Sequence, residues 1–193
     1  MTADEQVTTV RDVTTALREQ SRARYPDQEG FVERAGVRTF YEVYGAGEPT
    51  FLLLPTWSIV HSRFWKAQIP YLARHTRVVT FDGRGNGRSD RPESVEAYDE
   101  REYAADALAV LDAVGVDRAI LVSLSIGAQR ALLLAAEHPE RVAGAVFIGA
   151  TVPVTPGYEE RVVGDFDELL DTDEGWAKYN ADFWRRDYRG FLE

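Results

Sequence analysis

The chain has 193 residues, of which 45% are hydrophobic and 11% aromatic, and this predicts one folded domain, or one domain and part of another. Its 22 basic and 32 acidic residues give a formal net charge of −10, which argues against binding of nucleic acid or anionic lipid. The sequence contains no cysteine, so disulfides and thiolate metal sites are excluded.

The histidines and the hydropathy exclude further classes of protein. His61, His75 and His138 lie far apart and form no H-E-x-x-H pattern, so we expect no metal site and no cofactor. No apolar run reaches transmembrane length, and the N-terminus lacks the apolar region of a signal peptide. We therefore expect a cytoplasmic protein without a membrane partner.

The composition divides the chain into three regions. Residues 1–28 are polar and acidic, and we expect either a loosely attached N-terminal helix or a partly disordered extension. Residues 29–152 alternate between strand and helix patterns and form the predicted core. Residues 153–193 begin with a proline-containing linker and continue with helical patterns.

The predicted strands of the core are rich in β-branched and aromatic residues or form continuous apolar runs. They are Phe31–Glu33, Val37–Tyr44, Phe51–Leu54, Arg77–Phe81, Ala119–Val122 and Ala143–Ile148, with a hairpin turn at Gly36. The predicted helices are Ser62–Arg74, which Pro70 kinks or breaks, Arg101–Val114 after an acidic linker Ser94–Glu102, and a run that ends at His138. This alternation predicts the α/β class, with a mostly parallel sheet in a three-layer sandwich.

The segment Phe81–Pro92 contains a cluster of glycines that demands unusual backbone angles. A phosphate-binding loop is one interpretation of such a cluster. The G-x-G-x-x-G pattern is not satisfied, because Arg88 stands where the last glycine should be, and no G-K-[ST] follows. We therefore predict that this loop does not bind a nucleotide.

One stretch near the middle of the chain has the pattern of a strand, a tight turn and a helix. The apolar run Ala119–Val122 is followed by the small-residue turn Ser123–Gly127 and an Ala/Leu-rich helix. Such a turn exposes its apex side chain beside the unpaired N–H groups of the helix N-terminus. We predict that Ser125 is a nucleophile and that the N–H of Ile126 is an oxyanion donor. The alternative is a turn that merely carries two serines, since the motif is S-x-S-x-G rather than G-x-S-x-G.

Ligands of a parallel sheet bind at the carboxyl ends of its strands. Three loops of this chain follow predicted strands at that edge, namely Pro55–Ser62, Asp82–Ser89 and Ser123–Gly127. We therefore expect these loops to surround the site of a small-molecule substrate.

Three motifs together resemble the N-terminal part of an α/β-hydrolase fold enzyme, over roughly Gly30 to Val152. They are FLLLPTW at the third strand, the loop Asp82–Ser89, and the elbow at Ser125 with its LLLAAEHPERV helix. The resemblance implies the first six strands of that fold, followed by an incomplete helical cap in residues 153–193.

The resemblance also implies roles for two of the loops. In such enzymes the residue after a His-Gly pair beyond the third strand supplies the second oxyanion N–H. Here Pro55 and Thr56 replace that pair, so the role falls to Trp57. The loop Asp82–Ser89 supports the site and takes no catalytic step.

A serine nucleophile needs a base and an orienting acid, and in this fold both follow the serine in the chain. His138, the only histidine after Ser125, lies about 18 Å away along the elbow helix and cannot be the base. His75 is expected to end a helix, and His61 is a candidate for substrate contact. The resemblance therefore implies that the acid and the histidine lie beyond this chain. We expect the chain to be a fragment, a truncated gene product or a degenerate member, with little or no turnover on its own.

The predicted cap consists of two helices, Glu159–Leu170 and Glu174–Leu192, with aromatic residues at near-helical spacing. We expect these aromatic residues to pack within the cap and to line an apolar substrate pocket. Aromatic residues left exposed, together with an exposed sheet edge, would favour self-association. The acidic residues between Asp165 and Asp173 are predicted to form a solvated face.

Two functions of different class stay open. The first is a serine hydrolase that acts on an ester or related small acyl substrate, since relatives such as haloalkane dehalogenases and epoxide hydrolases use Asp where this chain has Ser125. The second is a non-catalytic ligand-binding or sensory module, which the acidic extension and the altered loop at Pro55 and Thr56 would suit. An acid and a histidine downstream of Ser125 would favour the first.

Overall fold

The structure is a computed structural model that describes residues 23–152, 166–172 and 174–192. The predictions made for residues 1–22 and 153–165 lie outside these described residues. Within the described part of the chain, no helix is long and apolar enough to cross a membrane.

The chain divides into two compact units, Met1–Val152 and Pro153–Glu193. The first unit contains a six-stranded sheet in the spatial order β1-β2-β4-β3-β5-β6. Its strands are β1 (Gln28–Arg34), β2 (Val37–Tyr44), β3 (Thr50–Leu53), β4 (Arg77–Phe81), β5 (Ala119–Leu124) and β6 (Val142–Ile148). The pairs β1–β2 and β2–β4 are antiparallel, and the other pairs are parallel. The predicted mostly parallel sheet is confirmed.

Three α-helices connect the strands of this unit. They are α1 (Ile69–Leu72), α2 (Glu100–Ala113) and α3 (Gly127–Glu137). The helix predicted over Ser62–Arg74 is divided into a 3-10 turn, Ser62–Ala67, and the short helix α1. Pro70 lies in the first turn of α1, where a missing N–H is tolerated, and it thus breaks the longer helix as predicted.

The predicted acidic linker Ser94–Glu102 is more ordered than expected. It contains a 3-10 turn, Val95–Tyr98, and then the start of α2. Helix α2 begins this early because the carboxylate of Asp99 accepts the N–H of Arg101 at 2.8 Å, which caps the helix. The linker prediction failed because acidic residues suit the first turn of a helix as well as a loop.

Alternate residues of the central strands pack into two different hydrophobic clusters. Leu52 packs with Leu111 of α2 and Leu134 of α3. Leu53 packs into the opposite cluster with Trp65, which lies in the 3-10 turn before α1. Because successive side chains point to opposite faces of a sheet, helical segments cover both faces. The predicted three-layer sandwich is confirmed.

Strand β6 is the last strand of the described sheet and has an exposed apolar end. Val146, Phe147 and Ile148 are 44%, 43% and 42% exposed. In the second unit, Trp176 is 55% exposed. These surfaces are of the kind that favours association, and self-association stays a prediction.

The described part of the second unit contains a 3-10 turn (Gly175–Lys178) and two short helices, α4 (Ala181–Arg186) and α5 (Tyr188–Leu192). The single helix predicted over Glu174–Leu192 is therefore wrong. Asn180 accepts the N–H of Phe183 at 2.8 Å, and Asp187 accepts that of Gly190 at 2.9 Å. Side chains that bond to the backbone in this way end one helix and begin another.

Aromatic rings of the second unit pack around Trp184. Its ring centroid lies 5.4 Å from that of Phe166, 5.8 Å from Tyr179 and 4.7 Å from Phe191. Residues 166–170 are not helical, so the described end of the predicted helix Glu159–Leu170 is wrong. Aromatic spacing therefore indicated which residues pack together without fixing the backbone between them.

Candidate active site

Ser125 lies at a sharp turn between β5 and α3. Only Ser125 and Ile126 separate the last residue of the strand from the first residue of the helix. The backbone of Ser125 has φ 53°, a left-handed conformation that costs a non-glycine residue about 1–2 kcal/mol. The turn is tighter than the predicted Ser123–Gly127, because β5 continues through Leu124 and α3 begins at Gly127.

Hydrogen bonds on both sides hold Ser125 in this strained conformation. Its N–H donates to the carbonyl of Ile148 at 3.0 Å, and its carbonyl accepts the N–H groups of Ala128 and Thr151, each at 3.1 Å. Strand β6 and the residues after it thus fix the turn from one side, and α3 fixes it from the other. Such support is what allows a strained residue to persist at a functional site.

The side chain of Ser125 is half-buried and lies next to Thr151. The two hydroxyl oxygens are 3.4 Å apart, and the side-chain amide of Gln129 donates to the carbonyl of Thr151 at 3.4 Å. No histidine among the described residues hydrogen-bonds to Ser125. Thr151 was missed in the sequence, because a threonine beyond the last strand has no motif of its own.

Gly127 brings the elbow into contact with the loop that follows β3. A Cβ atom at this position would lie 2.7 Å from the carbonyl oxygen of Pro55, which is closer than any side chain tolerates. The hydroxyl of Thr56 in the same loop donates to the carbonyl of Leu124 at 2.8 Å. The loop that holds Trp57, the predicted second donor, is therefore packed directly on the elbow.

The backbone around the two predicted oxyanion donors is well held. The N–H of Leu54 donates to the carbonyl of Val122 at 2.9 Å, and the indole N–H of Trp65 donates to the carbonyl of Leu54 at 3.2 Å. Trp57 is half-buried, and its carbonyl accepts the N–H of Val60 at 2.9 Å. Ile126 precedes α3, whose first N–H groups have no acceptor within the helix.

Arg130 lies beneath the loop and links it to two helices. Its guanidinium, on a side chain only 2% exposed, donates from Nη1 to the carbonyls of both Pro55 and Thr56 at 2.8 Å. Its other nitrogens donate to the carboxylate of Glu100 at 2.6 and 3.1 Å. The guanidinium carbon also lies 3.8 Å from the ring centroid of Tyr103. We name Arg130, Glu100, Pro55 and Thr56 the Arg130 cluster.

Arg130 is unusual in the sequence, because it is a single charged residue within an apolar helical run. It is the only charged residue of the apolar run GAQRALLLAAE before Glu137. A single arginine in such a run ordinarily indicates a solvent-exposed position on an amphipathic helix. Its partner Glu100 lies 30 positions earlier in the chain. Sequence rules for side-chain pairs cover residues three or four positions apart, so they could not predict this pair.

The loop after β4 uses Asp82 as its internal support. One carboxylate oxygen of Asp82 accepts the N–H and the hydroxyl of Ser62, at 3.0 and 2.6 Å, and the other accepts the N–H of Arg88 at 2.9 Å. The amide of Asn86 donates to the carbonyl of Ser58. The loops Pro55–Ser62 and Asp82–Ser89 are thus joined to each other. Asp82 and Asn86 use these hydrogen bonds to fix the two loops against each other. The resemblance implies the same supporting role for the loop Asp82–Ser89.

A second buried arginine joins the same loop to α2. Arg84 is 2% exposed and donates to both carboxylate oxygens of Asp106, at 2.5 and 2.9 Å. Arg34 of β1 donates to Asp106 at 2.9 Å and to Glu102 at 2.5 Å. We name Arg34, Arg84, Glu102 and Asp106 the Arg84 cluster.

The charges of the Arg84 cluster shift the protonation of its members. The hydrogen bond to Asp106 raises the pKa of Arg84, which stays protonated. The hydrogen bond from Arg34 lowers the pKa of Glu102 below its ordinary value. Burial raises the pKa of Tyr103, whose hydroxyl donates to the carbonyl of Arg84 at 3.2 Å. The four members of the Arg84 cluster are structural, since their carboxylates and guanidinium groups bond to one another.

The hydrogen bonds of the histidines in the described part of the chain do not include the hydroxyl of Ser125. His75 lies in the turn after α1, which ends at Leu72, so the prediction that His75 ends a helix is wrong. His61 is exposed, and its Nδ1 accepts the N–H of Arg63 at 3.2 Å, so substrate contact through its other nitrogen stays a prediction. His138 ends α3, at the opposite end from Ser125, as predicted. Among the described residues, no group of three or more His, Cys, Asp or Glu side chains could hold a metal ion.

Comparison with known proteins decides the family. The sequence model of the alpha/beta hydrolase fold matches residues 49–193. The chain belongs to this family. Ser125 of this family member stands at the strand–turn–helix elbow described above.

Several relatives illustrate the range of the family. The chain is 34% identical over 134 residues to the 2-hydroxymuconate semialdehyde hydrolase of Pseudomonas sp. (strain CF600). That match covers 65% of this chain and 45% of that protein. It is also 34% identical over 154 residues to epoxide hydrolase A of Mycobacterium tuberculosis. This second match covers 74% of this chain and 46% of that protein. The solved structure of Est816, an N-acyl homoserine lactone degrading enzyme, matches with a TM-score of 0.59 and 38% identity over 63% of this chain and 45% of that chain. The chain spans about half the length of the curated relatives it matches.

Proposed function

We propose that this protein is a serine hydrolase of the α/β hydrolase fold that acts on an ester or related small acyl substrate. The observation that carries the proposal is the backbone of Ser125, which adopts φ 53° between β5 and α3. A side chain at the apex of such a turn stands above the sheet, where a carbonyl group can reach it.

In the proposed reaction, Oγ of Ser125 attacks the carbonyl carbon of the substrate, and the carbonyl electron pair moves onto its oxygen. The N–H groups of Trp57 and Ile126 donate hydrogen bonds to this oxyanion. The bond to the leaving group then breaks, and water hydrolyses the acyl-enzyme by the same steps. A histidine takes the proton of the Ser125 hydroxyl and gives it to the leaving group, and an acid orients that histidine. The proposal takes both residues from outside the described part of the chain.

The choice of an acyl substrate follows from the chemistry of the nucleophile. Two relatives are named as hydrolases of a semialdehyde compound and of an epoxide, and the solved structure is of an N-acyl homoserine lactone degrading enzyme. If the hydroxyl of Ser125 opened an epoxide, the product would be an ether, which water does not readily cleave. If it attacked an ester or a lactone, the product would be an acyl ester of Ser125, which water can hydrolyse. The serine therefore favours the acyl substrate.

Fluorophosphonate labelling tests the proposal on the protein expressed from its own gene in its host. We expect fast, saturable labelling at the peptide that contains Ser125, located by mass spectrometry. Ser125→Ala should abolish the labelling. Ser58→Ala is the matched control, because Ser58 is exposed in the loop after β3 and should leave the rate unchanged.

Two results would overturn the proposal. One is the absence of labelling in the wild-type protein under conditions that label a known serine hydrolase in the same sample, which would favour a non-catalytic ligand-binding module. The other is equal labelling of the wild-type and Ser125→Ala proteins.

A further inference from the structure

Arg130 binds the backbone of the loop that carries a predicted oxyanion donor. It lies in the first turns of α3, and it is buried beneath the loop that holds Trp57. One of its nitrogens donates to two successive carbonyls, those of Pro55 and Thr56, both at 2.8 Å. Two successive carbonyls of this loop therefore face the same guanidinium nitrogen.

The contact with Thr56 fixes the orientation of the next amide group. The carbonyl of Thr56 and the N–H of Trp57 belong to the same planar peptide unit and point in opposite directions. Arg130 holds that carbonyl at 2.8 Å, so the N–H of Trp57 must point away from Arg130. A charged donor on the carbonyl also polarises the peptide unit, which makes its N–H a stronger donor.

Glu100 and Tyr103 fix the guanidinium itself. Glu100 accepts from Nε and Nη2 at 2.6 and 3.1 Å, which leaves Nη1 for the loop. The ring of Tyr103 packs against the guanidinium at 3.8 Å. A lysine could not satisfy this set, because its single ammonium group cannot bind a carboxylate through two nitrogens and still reach both carbonyls.

We infer that Arg130 is a positioning residue that orients the Trp57 N–H toward the oxyanion, with Glu100 holding the guanidinium in place. This inference rests on the proposed function, since it assigns an origin to one of the two oxyanion donors. It predicts that Arg130 acts on the transition state through the Thr56–Trp57 peptide, without touching the substrate.

Two measurements on the same variants separate this role from a role in folding. The first is the second-order rate constant for fluorophosphonate labelling of Ser125 in the protein expressed from its own gene. It is measured at a temperature well below the thermal unfolding midpoint of every variant. The second is the 15N–1H spectrum of protein labelled with 15N-tryptophan. The chain has four tryptophans, so the backbone signal of Trp57 can be assigned with a Trp57→Phe variant.

Arg130→Lys is the main variant, and Arg130→Met is the second. Removal of an oxyanion donor lowers rates by about 100- to 1,000-fold, and a misoriented donor should cost roughly 10- to 100-fold by the same measure. We expect Arg130→Lys to lower the labelling rate within that range and to move the Trp57 backbone signal. Glu100→Gln should give a smaller change in the same direction in both measurements.

Arg101→Met is the matched control. Arg101 is the residue next to Glu100, and it pairs with Glu137 on the exposed surface. Removing that pair takes away one arginine from the same helix turn without touching the loop. We expect the labelling rate and the Trp57 signal to stay at the wild-type values.

The outcomes distinguish this inference from the proposed function. If the wild-type protein is not labelled at Ser125, the proposed function fails, and this inference fails with it. If the wild-type protein is labelled and Arg130→Lys is labelled at the same rate, only this inference fails. A slower rate with an unmoved Trp57 signal, or a moved signal with an unchanged rate, also overturns it.

Discussion

Two buried arginines of the first unit have the same exposure and different neighbours. Arg84 and Arg130 are each 2% exposed, and each donates two hydrogen bonds to a carboxylate on α2. The partner of Arg84 is Asp106, which is 1% exposed, whereas the partner of Arg130 is Glu100, whose side chain is 25% exposed. The comparison shows how one type of contact can serve either the fold or the site.

The difference lies in what each guanidinium does with its remaining nitrogen. Nη1 of Arg84 donates to the carbonyl of Ala97, in the 3-10 turn before α2. Nη1 of Arg130 donates to the loop of Trp57, which the elbow contacts at Gly127. We therefore expect loss of Arg84 to act mainly on stability, and loss of Arg130 to act mainly on the rate of reaction at Ser125.

The largest expected effect is that of Arg84→Met on the free energy of unfolding. Within the described residues, Asp106 would keep Arg34 as its one cationic partner. Breaking a buried ion pair costs about 3–5 kcal/mol. Urea denaturation should show that loss, while the fluorophosphonate labelling rate of the folded protein stays close to the wild-type rate. Arg101→Met, which removes an exposed pair, should cost about 0–1 kcal/mol. Equal costs for the two variants would contradict the contrast between buried and exposed pairs.

The next largest effect is that of Gly127→Ala on the loop that Arg130 binds. The added methyl would approach the carbonyl of Pro55, a backbone atom that Arg130 also holds, so the loop has to shift. Overpacking of this kind costs about 1–3 kcal/mol, and the shift should also slow the labelling of Ser125. Gly144→Ala is the matched control, because its methyl would meet only Ile120, at 4.0 Å. A Gly127→Ala protein with wild-type stability and labelling rate would show that the loop is not held where the structure has it.

The elements that the sequence predicted well are those governed by local rules. The apolar run of β5, the small residues of the elbow and the proline at position 70 act through their immediate neighbours, so spacing and residue type sufficed for the strands, the turn and the break before α1. The buried arginines could not be predicted in this way. The partner of Arg84 is 22 residues away and that of Arg130 is 30 residues away, and only the packing of α2 against the loops brings them together.

The second unit shows a different limit of the sequence. Aromatic residues at near-helical spacing predicted one helix over Glu174–Leu192, and the rings do pack around Trp184. The backbone breaks at Asn180 and Asp187, because each side chain accepts a backbone N–H three residues later. The spacing of large side chains therefore predicted the packing, while two short polar side chains decided the helices.

The smallest expected effect concerns pH and the exposed edge of the Arg84 cluster. The hydrogen bond from Arg34 lowers the pKa of Glu102 from its ordinary value of 4.5. A carboxylate with a lowered pKa stabilises the folded state above its ordinary pKa, and this contribution is lost as the pH falls from 4.5 through the lowered value. Since the side chain of Glu102 is 34% exposed, the loss should be small.

Glu102→Gln removes that titration and keeps the size of the side chain. We expect the variant to be slightly less stable than the wild type at pH 7, and we expect the difference to shrink as the pH falls below 4.5, as measured by urea denaturation at each pH. Glu100→Gln should give a different result, because Glu100 holds Arg130 and its replacement should appear in the labelling rate of Ser125. A constant difference in stability between wild type and Glu102→Gln at every pH would mean that the bond from Arg34 does not shift the pKa of Glu102.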